Sequence, residues 1–157
     1  MTLAKPYSWR KKQAMKSQLT EKNCREIVLS GFRPASWNDF WSCPHWSERQ
    51  REANRVKSIV RAALDPELPG VPIPVDIEVD CYFDSRAQDS DNILAKPMID
   101  ALKGWLIPQD SPDIVHKVSV ESHKDKGNPR VVIRVISLEG AKMWGEEAPD
   151  QKQKDEV

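Results

Sequence analysis

The sequence predicts a small α+β domain, one mixed β-sheet of about four strands with two helices packed on it. Three observations carry that prediction. Val75-Asp76-Ile77-Glu78-Val79-Asp80-Cys81-Tyr82-Phe83 alternates apolar with polar residues, the period-two pattern of a half-buried strand. Between Ser47 and about Leu64, Val56, Ile59, Val60, Ala63 and Leu64 fall at the spacing of one helical stripe. Two further apolar stretches, from Ile114 to Val120 and from Val131 to Ile136, flank the turn Lys124-Asp125-Lys126-Gly127-Asn128-Pro129, the pattern of a β-hairpin. A chain of 157 residues holds one domain with a real core. Its expected limits are a basic arm over 1–24, a folded domain over 25–138 and a polar, disordered tail over 139–157.

The elements follow in order. The arm carries Lys5, Arg10, Lys11, Lys12, Lys16 and Lys22 against Glu21 alone. The first strand is predicted over Arg25–Phe32 and is closed by Arg33-Pro34. Residues Ser36–Trp46 read as an aromatic loop whose three tryptophans either stack on bases or pack into the core or a dimer contact, with packing the expectation. Ser47 is placed to cap the long helix, with Gln50 in the capping-box position. Arg51, Arg55, Lys57 and Arg61 lie off its apolar stripe. Asp65-Pro66 through Pro69-Gly70 ends it.

A second, shorter helix is expected from Pro97 to about Leu106, with proline in its first turn and Gly104 placed to stop it. Lys96, as the residue before a proline, is expected to stay in the loop. His116 is expected as a packed histidine on the apolar strand face, and His45 and His123 carry no signal.

Composition narrows the function classes. Lysine plus arginine balance aspartate plus glutamate, so the formal charge is zero, unlike a generic nucleic-acid binder. The basic arm can still engage a polyanion while the molecule stays neutral. No apolar run approaches the roughly 20 residues of a membrane span. Met1–Pro6 lack the apolar core of a secretory leader. The expectation is a cytoplasmic protein with no membrane partner. Cys24, Cys43 and Cys81 are odd in number and far apart, which argues against a disulfide framework.

The chemistry is concentrated in Asp84–Asp100, where four carboxylates, Gln88, Asn92 and Lys96 follow the alternating strand. A second acidic turn, Pro108-Gln109-Asp110-Ser111-Pro112-Asp113, comes one short helix later. Two acidic loops flanking a helix with a lysine at its start suit a divalent cation and a phosphate. Magnesium prefers hard oxygen ligands and keeps several waters. Asp89 and Asp91, two apart, can point the same way, and Asp110 can close the cluster. An EF-hand fails, because counting from Asp89 puts Ile93 and Leu94 where an oxygen ligand and a glycine are required. Asp84 and Asp113 read equally well as solvated turn residues, and Asp100 as a surface charge.

The series Asp89-Ser90-Asp91-Asn92-Ile93, Lys96, Asp100-Ala101-Leu102 and Gln109-Asp110-Ser111-Pro112-Asp113 resembles the RusA family of Holliday-junction resolvases, and Ser36-Trp37-Asn38 is similar to that family's early Ser-x-Asn. The family pattern is Asp-x-Asp-Asn-Leu, a lysine, Asp-Ala-Leu and an Asp-Asp turn before a strand. The resemblance covers about 26–138, and its specific part about 84–124. It implies a RusA-like fold and a homodimer that cuts four-way DNA junctions with magnesium, or alternatively manganese. It implies Asp89, Asp91 and Asp110 as metal ligands and catalytic residues, with Lys96 serving the phosphate. The chain departs from the pattern twice. Five positions separate Asp91 from Lys96 where the family has four, and Gln109 replaces the first aspartate of the pair.

The expected activity is therefore a magnesium-dependent endodeoxyribonuclease in recombination and repair. Lys11, Lys12, Arg51, Arg55, Lys57 and Arg61 are the expected phosphate-backbone contacts. The rivals are a catalytically silent junction-binding protein of the same fold and a metal-dependent nucleotide phosphohydrolase. The absence of a glycine-rich phosphate loop from the sequence argues against the second. If one subunit supplies all three aspartates, the strands before and after the short helix are expected to run antiparallel.

Overall fold

The structure is a computed structural model and describes residues 24–145. Four strands, β1 (Cys24–Ser30), β2 (Ile73–Phe83), β3 (Val115–Lys124) and β4 (Arg130–Lys142), form one mixed sheet in the order β1-β4-β2-β3. Three helices, α1 (Trp37–Ser42), α2 (Trp46–Ala63) and α3 (Lys96–Leu102), and a single 3-10 turn (Ser90–Asn92) complete the α+β domain.

Strand alternation sorts the sheet into two faces. Ile27, Leu29, Val75, Ile77, Val79, Cys81, Phe83, Val131, Ile133 and Val135 point one way and are buried. They share one core with Val56, Val60 and Ala63 of α2 and Met98, Ile99, Ala101 and Leu102 of α3. Each fully buried aliphatic side chain contributes about 1.5–3 kcal/mol. The opposite face is polar. It joins Glu26 of β1 and Arg134 of β4 to Glu78 and Asp80 of β2, and these to Glu121 and His123 of β3.

The sheet order overturns two expectations. β3 and β4 do not form a hairpin, because β2 lies between them. Residues 125–129 step across the end of β2, where Asp125 N–H donates to the Phe83 carbonyl at 3.0 Å and Gly127 N–H to Asp84 Oδ1 at 2.7 Å. Crossing one strand spans about 10 Å, well within the reach of five residues. Asp84 is therefore an anchor of that crossing. Secondly, β2 and β3 run parallel, not antiparallel. A parallel pair needs a long crossover, and the 84–114 connection carrying α3 supplies it.

Smaller corrections have local causes. Residues 37–42 are helical, because Ser36 Oγ accepts from Asp39 N–H at 3.0 Å. α2 begins at Trp46, with His45 as N-cap and no side-chain cap bond, so Ser47 does not cap it. Lys96 is the first residue of α3, which ends at Leu102. Gly104, at φ 77°, turns the chain beyond it, leaving Trp105 and Leu106 outside the helix. β4 continues past Glu139 to Lys142, beyond the expected end of the domain. Trp144 then seats its indole against Gly70 and donates to the Leu106 carbonyl at 3.3 Å, so that a Cβ at position 70 would clash with it. Lys11, Lys12 and the rest of the basic arm lie outside the described residues, as does 146–157. Among the described residues, no helix is long and apolar enough to cross a membrane.

Candidate active site

The segment after β2 folds back alongside β3, where Ser90–Asn92 packs. Ile93 and Leu94 are each 2% exposed and pin it to the core. The adjacent Asp89 and Asp91 point outward as exposed carboxylates, with no side-chain hydrogen bond or ion pair among the described residues. Burial of the two apolar residues, roughly 3–6 kcal/mol together, thus fixes a loop that presents two unpaired charges.

The Ser36-Trp37-Asn38 segment docks on this loop from 54 residues away. Asn92 Oδ1 accepts from Asn38 N–H at 3.1 Å, Leu94 N–H donates to the Ala35 carbonyl at 2.9 Å, and Ser36 bridges to Ile93. Asn92 therefore helps cap α1. A cleft of about 470 Å³ opens between the two segments, lined by Arg33, Ser36, Asn38, Arg86, Gln88 and Asp89 among others. Gln88 Nε2 donates to the Pro34 carbonyl at 2.9 Å, while its buried Oε1 has no partner among the described residues.

At the other end of the loop, Lys96 Nζ donates to Asp100 Oδ1 at 2.6 Å and to Asp110 Oδ2 at 2.8 Å. Lys103, absent from the sequence reading, joins the same pair at 3.0 and 3.4 Å. Two carboxylates and two ammonium groups make one cluster. The Asp100 hydrogen bond, then the Asp110 one, raises the Lys96 pKa. The Asp110 pKa is lowered, chiefly by its hydrogen bond from Lys96. Burial works to raise the Asp100 pKa, and the bonds from Lys96 and Lys103 outweigh it. Asp100 is thus the partner that orients Lys96, one helical turn away. Pairing with two carboxylates also gives Lys96 a reason to be helical in spite of Pro97.

The three predicted ligands do not meet as the side chains stand. Among the described residues, Asp80, Glu121 and His123 are the group of three whose ligand atoms lie within 4.8 Å of one another. This trio sits on the polar sheet face, where β2 and β3 pair Asp80 with Glu121. His123 Nε2 lies 3.0 Å from Asp80 Oδ1 and 3.4 Å from Glu121 Oε2. The other Asp80 oxygen is held by a short bond from Arg134, which also bonds Glu26 at 3.1 Å. His123 stacks on Tyr82 at 4.8 Å, and Arg130 covers Tyr82 at 3.7 Å. Asp80 is already neutralised by a guanidinium, so the cluster reads as a cross-strand ion-pair lattice.

The remaining predicted residues stand as follows. Arg55 is held by Glu52 at 2.7 Å, and Arg61 Nε donates to the Ala101 carbonyl at 3.4 Å. Arg51 and Lys57 have no ion pair among the described residues. His116 is not packed; its side chain is mostly exposed and bonds Asp76 at 3.0 Å. Trp41 and Trp46 are 62% and 70% exposed, which excludes the core half of the packing expectation and leaves its dimer half open. No family model and no curated protein matches the chain, so the resemblance to the RusA resolvases rests on the motif residues themselves.

Proposed function

We propose that this chain is a magnesium-dependent, structure-selective DNA endonuclease of the RusA type, a cytoplasmic homodimer that resolves four-way junctions in recombination and repair. One observation carries the reading. The contacts of Asn92 with Asn38 and of Lys96 with Asp110 tie four motif segments, scattered over 36–113, into one region.

The residues fit the metal by their chemistry. Asp89, Asp91 and Asp110 offer hard oxygen donors only, and the first two are exposed and unpaired among the described residues. These three would hold magnesium. The chemistry that a bound magnesium supplies is polarisation of the scissile phosphate and activation of a water. Lys96, kept protonated by its carboxylate partners, meets the charge that builds on the phosphate in the transition state. Asp100 retains the ammonium when Asp110 turns to another cation. In a two-fold dimer, two such sites face opposite strands of a symmetric junction. Lys11, Lys12, Arg51, Arg55, Lys57 and Arg61 would add salt-dependent backbone contacts.

The test is cleavage of a synthetic four-way junction with magnesium or with EDTA, comparing wild type with Asp91→Asn. Paired symmetric nicks that need both the metal and Asp91 are expected. One observation favours a second reading, a catalytically silent junction-binding protein: both lysines already occupy Asp110. Tight junction binding with no nicking in magnesium or in manganese would select it.

A further inference from the structure

α1 has three aromatic residues among six and buries none of them. Trp37 and Trp41 stack at 6.3 Å and 12°, with Phe40 set edge-on to both. Trp46, the first residue of α2, makes no ring contact among the described residues and is 70% exposed. Arg49 lies one turn on from Trp46 and holds its guanidinium 5.1 Å from the Trp41 ring. It has no carboxylate partner among the described residues. The surface is therefore aromatic, cationic, aromatic in sequence, with an uncompensated charge at its centre.

From these contacts we infer that Trp41, Arg49 and Trp46 form a binding platform for unpaired nucleotides, Trp46 stacking on a base and Arg49 meeting the adjoining phosphate. The charge argues for this occupant. The centre of a protein–protein contact is depleted of charge, whereas aromatic rings interleaved with arginine are the usual single-strand surface. Position argues for it too. Asn38, bonded to the acidic loop, is three residues from Trp41, about 5 Å along the helix axis. The Trp41 end of the platform therefore lies one helical turn from the segment docked on the acidic loop. The inference rests on the nuclease reading for its ligand class, and it explains how a junction, whose crossover strands can splay, is told from plain duplex.

The test measures binding of the full-length protein to short labelled oligothymidine, with no cleavage needed. Trp41→Ala and Trp46→Ala are expected to weaken it about five- to hundredfold each. Trp46→Phe should restore most of the loss, and duplex affinity should change by less than about twofold. Melting curves check the fold, and sedimentation of each variant checks self-association. Unchanged oligothymidine binding overturns the platform, as does unchanged binding with loss of a dimer, which would make the patch a self-contact. Junction nicking by wild type and Asp91→Asn is read separately. A protein that binds oligothymidine through Trp46 yet never nicks overturns the nuclease reading and keeps the platform.

Discussion

Two acidic clusters lie on this molecule, and their differences bear on where chemistry is possible. The sheet cluster of Asp80, Glu121 and His123 is positioned by strand register, and Asp80 is only 8% exposed and bound by Arg134. The loop carboxylates Asp89, Asp91 and Asp110 do not converge as the side chains stand, yet the first two are exposed and unpaired among the described residues, and the third is held by lysines on a surface. A buried carboxylate with a guanidinium partner is expensive to redirect, since breaking the pair leaves an uncompensated charge. A loop carboxylate facing water changes partner cheaply. Close approach of ligand atoms is thus a poor guide to a metal centre when a cation of the protein already fills it.

The strongest way to break this comparison is to remove one carboxylate from each cluster. Asp91→Asn is expected to lower junction nicking by roughly 10²–10³-fold or more while leaving junction affinity and stability near wild type. Asp80→Asn should leave nicking within about twofold and cost about 2–4 kcal/mol of stability, measured by urea unfolding. If Asp80→Asn abolished nicking in a folded protein, the roles of the two clusters would be reversed.

Cys81 sharpens the same contrast from the core side of β2. Burial, with the charge of Asp80 adding to it, pushes the Cys81 thiol up to about 12. Almost none is thiolate at pH 8, so labelling by a thiol reagent needs the sheet to open. The destabilisation expected for Asp80→Asn corresponds to labelling faster by roughly 30- to several hundredfold. Asp91→Asn should leave the rate unchanged, and equal rates in both variants would deny the lattice its structural role.

Much of this contrast was legible in the sequence, though unevenly. The alternation of β2 predicted Asp80 on a polar face, and the motif spacing singled out Asp89, Asp91, Lys96 and Asp110. The partners of Asp80 were not legible, because Glu121 and Arg134 reach it only through a sheet order that puts β2 between β3 and β4. The 124–129 segment has the residues of a tight turn, and nothing local distinguishes a turn that joins neighbours from one that steps over a strand. The parallel pairing had a visible cue in the helix between the two strands. The demand that Asp110 meet the end of β2 pulled the reading the other way, and with the strands parallel the three aspartates do not converge as the side chains stand. Lys103 was missed because its role depends on Asp110 returning beside α3, a tertiary contact with no local signature.

The smallest expected effect concerns the lysine–carboxylate cluster and its dependence on pH. Asp100 and Asp110 have folded-state pKa values below the ordinary carboxylate value of about 3.9. Their contribution is complete above that value and is lost as pH falls through the lower folded-state values. Lys96 is raised, so its contribution is complete below its ordinary value of about 10.4 and is lost as pH rises through the higher folded-state one. The groups are partly exposed, and solvent screening keeps the total to about 1 kcal/mol. Urea unfolding of wild type and Lys96→Met should therefore differ by a constant amount at neutral pH. The curves should converge below about pH 4 and again above about pH 10.5. Curves that stay parallel to pH 2 would mean that Lys96 does not pair with these carboxylates in solution. Asp110 would then be held by Lys103 alone, and the case for a silent binding protein would lose the closer of its two lysine contacts.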